Sequence, residues 1–143
     1  YLAYTDNGRE FTGKNIFDWC KELEQLGAGE LLITSIDRDG TGNGCDIDLI
    51  KKIRTLVSMP VIAHGGVGNS NHIGEAINTG GASAIAIASI IHYGALFDKN
   101  FFESSQGEGN RSFISNLRQY KSFGPKTIKE IKNDLKGLVE TRL

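Results

Sequence analysis

One pattern recurs three times along the chain: a short, almost unbroken apolar run, a glycine-bearing loop, then residues at helical spacing. The first run is Glu30 to Ser35, followed by the loop Asp37 to Gly44. A helix is expected from about Asp46, a fair N-cap, with Ile50, Ile53, Leu56 and Val57 along one stripe. Met59 and Pro60 end it, because the residue before a proline is pushed out of the helical region. The second run is Val61 to His64, followed by the loop Gly65 to Gly68 and a helix near Asn71 to Asn78. Ser83 to Ser89 is the third. Short apolar strands separated by helices specify a parallel sheet covered by helices, so the fold class is α/β.

The flanks extend this plan. Asn15 to Gln25 places Ile16, Trp19, Cys20 and Leu23 on one helix face, with Gly27 as the stop. Before it, Tyr1 to Thr5 and Arg9 to Thr12 read as a hairpin turning at Asn7-Gly8. At the far end Thr127 and Glu130 have capping-box spacing and begin a final helix to about Leu138, within the closing segment 127–143. Residues 93–126 read as an insertion: Phe97, Phe101 and Phe102 suggest packing, Ser104 to Arg111 a loop, Phe113 to Tyr120 a short helix. The chain therefore has three strand–loop–helix units and the helix of a fourth. A (β/α)8 barrel needs about 250 residues, so the expectation is the C-terminal half of a TIM barrel. It forms a single domain, with a hairpin remnant at 1–14 and the βα units at 15–92. The chain opens on Tyr1 and its only methionine is Met59, which fits a piece of a longer parent.

Composition narrows the function. Glycine supplies 18 of 143 residues against two prolines, which places the glycines in structured turns and excludes collagen, coiled coil and disordered tail. A net charge of −1 offers no footprint for nucleic acid or anionic lipid. Cys20 and Cys45 are too few for a disulfide scaffold and lack the neighbours of a zinc site. They read as reduced thiols in a cytoplasmic protein, with no metal and no cofactor called for. Neither a membrane span nor a signal pattern is evident.

The chemistry is expected where strands end. In barrels, ligands sit at the C-terminal ends of the strands, here Asp37 to Gly44, Gly65 to Gly68 and Ala88 to His92. All three loops carry small residues whose backbone N–H groups can approach an oxyanion, and two lead into a helix N-terminus. Together they read as a phosphate site. Strand alternation puts Thr34 on one face with Leu32 and Glu30, and Ile62 with His64. Glu30 reads, on its own, as a solvated rim residue rather than a buried ion pair. His64 suits an acid–base group, a phosphate contact or a structural histidine alike; His72 reads as solvated on a helix exterior. Asp37 and Asp39 do not meet the twelve-position calcium-loop pattern, and Cys45 has no basic neighbour that would make it a nucleophile.

From Gly27 to Thr41 (GAGELLITSIDRDGT), Pro60 to Gly68 (PVIAHGGVG) and Ala84 to His92 (AIAIASIIH), with Thr12, Gly13 and Trp19, the sequence closely resembles the cyclase family of imidazole glycerol phosphate synthases. The resemblance covers about residues 1 to 92 and the last helix. It implies a barrel of histidine biosynthesis that uses ammonia from a glutaminase partner, docked at the barrel bottom, to form imidazole glycerol phosphate and an aminoimidazole carboxamide ribonucleotide. It implies that Asp39, Gly40, Gly66, Ala88 and Ser89 bind one phosphate of the sugar-phosphate substrate. Thr34 and His64 would line the mouth, and Glu30 would belong to the charged ring that gates ammonia, which reverses the solvated-rim reading. The family's two catalytic aspartates end strands one and five, neither of which lies in this chain, so no catalytic residue is assigned and the 143 residues alone are expected to be inactive.

The sequence departs from the family at His64, usually serine, and at Ser83, usually an acid. Gly80 to Ser83 instead matches related barrels that deliver ammonia to a nucleotide-linked sugar in surface-polysaccharide synthesis, a second reading. A third is a non-catalytic, self-associating phosphate-binding half-barrel, since an open sheet leaves edges and an apolar interior unpaired; it implies a homo-oligomer.

Overall fold

The computed structural model describes residues 1–96 and 123–141. Its centre is a three-stranded parallel sheet in sequence order, β3 (Leu31–Thr34), β4 (Val61–His64) and β5 (Ala84–Ala86). Leu31 pairs with Val61 and Thr34 with His64; Ile62 pairs with Ala84 and His64 with Ala86. Parallel neighbours need a crossover, and the helices α2 (Ile47–Leu56) and α3 (Ser70–Asn78) provide the two. This is the βα alternation read from the apolar runs.

The helices start where their caps are. Asp46 accepts the Leu49 N–H at 3.0 Å to begin α2, and Asn69 accepts from Asn71 and His72 at 2.9 and 3.2 Å to begin α3. Asn15 caps α1 (Ile16–Gln25) through the Phe17 N–H. α4 runs Ser89–Leu96, and α5 (Ile128–Asp134) opens on the Thr127–Glu130 capping box. α5 is shorter than the helix expected to Leu138: Leu135 is its C-cap and Gly137 follows at φ 81°. The third strand is likewise three residues, Ala84–Ala86, inside the expected run Ser83 to Ser89.

The N-terminal hairpin is real, but its turn differs from the two-residue form expected. β1 (Leu2–Thr5) and β2 (Glu10–Asn15) are antiparallel, and Thr5 faces Glu10 across a four-residue loop, Asp6 to Arg9. Asp6, Asn7 and Gly8 all have positive φ and form a 3-10 turn, so Asn-Gly does supply the left-handed backbone, within a loop one residue longer on each side.

The core lies on one side of the sheet. Leu31, Val61 and Ile53 join Cys20, Leu49, Val57 and Met59 between α1, α2 and the strands. A second cluster joins Ala63, Ile73, Ala76, Ile90, Ile131 and Leu135. Polar ties close the seams: Glu24 at the end of α1 accepts from the Ser58 N–H (2.7 Å), the Ser58 hydroxyl (2.6 Å) and the Met59 N–H (3.3 Å). Asp134 of α5 accepts from Ser70 at 2.5 Å and pairs with Lys126. Both carboxyls are held below their ordinary range, Glu24 by the Ser58 hydroxyl and Asp134 by Lys126 first and then Ser70. No helix among the described residues is long and apolar enough to cross a membrane. The expected packing of Phe97, Phe101 and Phe102, the loop Ser104 to Arg111 and the helix Phe113 to Tyr120 lie outside the described residues.

Candidate functional site

The C-terminal edge of the sheet gathers all three glycine loops. The first, after β3, is held by its own backbone: the N–H groups of Arg38 and Asp39 donate to the Ser35 carbonyl at 3.1 and 2.9 Å. The second meets it directly, with the Gly44 N–H donating to the Gly66 carbonyl at 2.7 Å. Gly66 has φ +94°, and a Cβ there would lie 2.2 Å from the Gly44 oxygen. Glycine is required at that position by both the backbone angle and the contact. The third loop leads into Ser89, the first residue of α4.

These loops surround a small opening of about 20 Å³ lined by Asp39, Gly40, Gly42, His64, Gly65, Gly66, Ala88 and Ser89, with Phe123 at its side. Admitting one water takes only about 10–15 Å³ of such space. Asp39, Gly40, Gly66, Ala88 and Ser89, grouped by the resemblance, are thus brought together from three units. Among the described residues, the N–H groups of Gly40, Gly66 and Ser89 make no backbone hydrogen bond. Free N–H groups beside the start of a helix favour an anion.

Thr34 and His64 stand side by side on adjacent strands, Thr34 Oγ1 being 3.0 Å from His64 Nδ1. Thr34 and Asp39 also line a larger groove of about 650 Å³ between the hairpin and β3, with Tyr1, Trp19, Leu32 and Ile36. That groove mixes polar and apolar side chains, whereas the backbone donors converge at the smaller opening. Glu30 is exposed and immediately precedes β3, at the opposite end of the strand from Thr34 and about 13 Å away along it.

His72 differs from its expected solvated state. Its Nδ1 accepts the Gly68 N–H at 3.1 Å, and its ring lies beside Gly44, where an added Cβ would be 3.6 Å from it. It therefore buttresses the second loop from behind. The pattern Gly68-Asn69-x-x-His72, an N-cap followed three residues on by a polar ring, carries that signal. Phe123 had none, because its approach to the opening is non-local. Cys20 and Cys45 are free and buried, and burial pushes both thiols up, against thiolate chemistry. No group of three or more His, Cys, Asp or Glu among the described residues is arranged to hold a metal ion.

A parallel sheet of consecutive βα units, with glycine loops converging at the C-terminal edge, defines the class: an α/β protein. The family model "Histidine biosynthesis protein" matches residues 2–97, and the chain belongs to that family. It is 48% identical over 94 residues to imidazole glycerol phosphate synthase subunit HisF of Leptospira biflexa, covering 66% of this chain and 37% of that protein. The subunit of the same name from Nostoc sp. is 48% identical over 107 residues (73% and 41%). That of Pyrobaculum aerophilum is 50% identical over 96 residues (67% and 38%). The chain thus spans roughly two fifths of the length of these relatives.

Proposed function

We propose that this chain is the sixth-to-eighth-strand portion of a (β/α)8 cyclase of histidine biosynthesis and carries one of its two substrate-phosphate sites. The observation that carries the reading is the convergence of Asp39, Gly40, Gly66, Ala88 and Ser89 on one opening at the C-terminal edge of the sheet. A phosphate there would accept from the N–H groups of Gly40, Gly66 and Ser89 and gain from the N-terminus of α4. In the whole enzyme such a site anchors the substrate's remote phosphate, so that its binding energy positions the reacting carbons. Thr34 and His64 would line the mouth. Glu30, at the far end of β3, would face incoming ammonia from a glutaminase subunit below the sheet.

Ring closure also needs a general acid and base. In the resembling family both are aspartates on strands other than β3, β4 and β5. The 143 residues by themselves are therefore proposed to bind phosphate without turning over substrate. Ammonia-dependent formation of imidazole glycerol phosphate by the 143-residue chain is the test: none is expected, and appreciable turnover contradicts the proposal.

A second reading, ammonia delivery to a nucleotide-linked sugar, is favoured by Ser83, whose hydroxyl accepts the Val61 N–H at 3.4 Å where the histidine enzymes usually place an acid. Complementation of a histidine-requiring strain by the full-length parent separates the two. Growth supports the histidine reaction, and failure with a soluble parent supports the sugar reaction. Self-association is favoured by the uncovered face of the sheet, where Leu32 is 58% exposed. Light scattering at micromolar concentration is expected to show a dimer or larger, and a stable monomer contradicts it.

A further inference from the structure

The small opening has an electrostatic problem that its glycines do not solve. Asp39 lines it, and a carboxylate beside a phosphate dianion is repulsive. Among the described lining residues, His64 is the side chain able to become cationic near neutral pH. Its Nδ1 already has a partner in the Thr34 hydroxyl, 3.0 Å away on the neighbouring strand.

We propose that Thr34 and His64 act as an anion-recognition pair, in which Thr34 holds the imidazole so that its Nε2–H is a ligand of a phosphate or sulfate dianion bound at the glycine loops. The proposal rests on the phosphate-site reading above and deepens it. The chemistry follows from what a hydroxyl can do. When the ring is neutral, Thr34 can donate to Nδ1 with the proton on Nε2, the tautomer a bound anion selects over the one in which Nδ1–H donates to Thr34; when the ring is cationic, Nδ1–H donates to Thr34 Oγ1 and Nε2–H remains. In the anion-bound pair the nitrogen away from Thr34 is the donor. Thr34 is a positioning residue in this scheme, and His64 is the ligand.

The charged and titratable groups nearest the site are Arg38 and Asp39 of the loop after β3, Arg38 with its Cβ 3.0 Å from where a Gly66 Cβ would sit, and His72 of α3, whose Nδ1 accepts the Gly68 N–H on the second loop. From the third unit, Ala86, Ala88 and Ser89 bring no charge. His64 lines the opening itself, while His72 is engaged by the Gly68 N–H, so His64 is the imidazole placed to offset the Asp39 carboxylate at a bound anion. A cationic imidazole there strengthens anion binding as pH falls and selects dianions over uncharged groups of the same size.

The test is equilibrium binding of inorganic sulfate, which stays a dianion throughout, to the 143-residue chain at about pH 5.5 and about pH 8.5. Affinity is expected to drop about tenfold from the lower to the higher pH, the effect of one charge-assisted hydrogen bond. His64→Gln is expected to keep the weaker binding and lose the pH dependence. Thr34→Val is expected to weaken binding at both pH values, with Thr34→Ser restoring it. Sulfate bound equally well by wild type and His64→Gln, with the same pH profile, overturns the pair while leaving the phosphate site standing. No saturable sulfate binding by the wild type overturns both. Wild-type imidazole NMR covers a variant that does not fold: the His64 Nε2 signal is expected to move along the sulfate saturation curve, and a stationary signal overturns the proposal.

Discussion

On the helix-covered face of the sheet, Leu31, Val61 and Ala63 are at most 6% exposed, while on the opposite face of the same strands Leu32 is 58% exposed. Thr34 is exposed and His64 half-buried on that open face. Alternation along a strand separates two jobs. The covered face binds helices and supplies stability, and the open face ends at its upper edge in the groups that can meet a ligand. The same three strands therefore carry core residues and site residues one position apart.

Adjacent leucines give the sharpest way to break this comparison. Leu31→Ala is expected to lower unfolding free energy by about 3 kcal/mol, as for a buried leucine that leaves a cavity. Leu32→Ala should change it by no more than about 0.5 kcal/mol when measured below the concentration at which the chain self-associates. Chemical denaturation of both variants checks this; equal losses under those conditions would mean that the face is covered even in the single chain. Next in size is Gly66→Ala, where a positive φ and the Gly44 oxygen both oppose a methyl group. It is expected to cost about 2–3 kcal/mol and to abolish sulfate binding. Stability lost with binding intact would separate the loop contact from the site.

Asn69→Ala removes the cap of α3 behind the second loop and should cost about 1 kcal/mol by thermal or chemical unfolding. An unchanged stability would show that water replaces the cap. The smallest effect is the acid limb. The folded state holds Glu24, Glu130 and Asp134 below their ordinary values of 4.5, 4.5 and 3.8. Their stabilising contribution is therefore complete above those values and is lost as pH falls through the lower folded ones. A thermal midpoint scanned against pH is expected to be level from neutral to about pH 5 and to fall below that, with Glu24→Gln flattening part of the fall.

Most of the fold was legible because its signals are local. Pro60, Asp46 and the apolar run Val61 to His64 mark a helix end, a cap and a strand within a few residues of sequence. The glycine loops were legible for the same reason, and the resemblance grouped Asp39, Gly66 and Ser89 before geometry did. What escaped was non-local or conformational. The hairpin turn lengthens because Asp6 joins Asn7 and Gly8 in positive φ. His72 turns toward Gly68 because the cap at Asn69 aims the first turn of α3 back at its own loop. Phe123 reaches the opening from far along the chain, and the last helix stops at Asp134 because the backbone leaves the helix at Leu135 and Gly137 follows in positive φ.

The central claim is that three loops on consecutive units form one anion site. Amide NMR of the 143-residue chain titrated with inorganic phosphate tests it most directly. The account predicts that the N–H signals of Gly40, Gly66 and Ser89 move together along one saturation curve. Signals that move independently, or not at all, would contradict it.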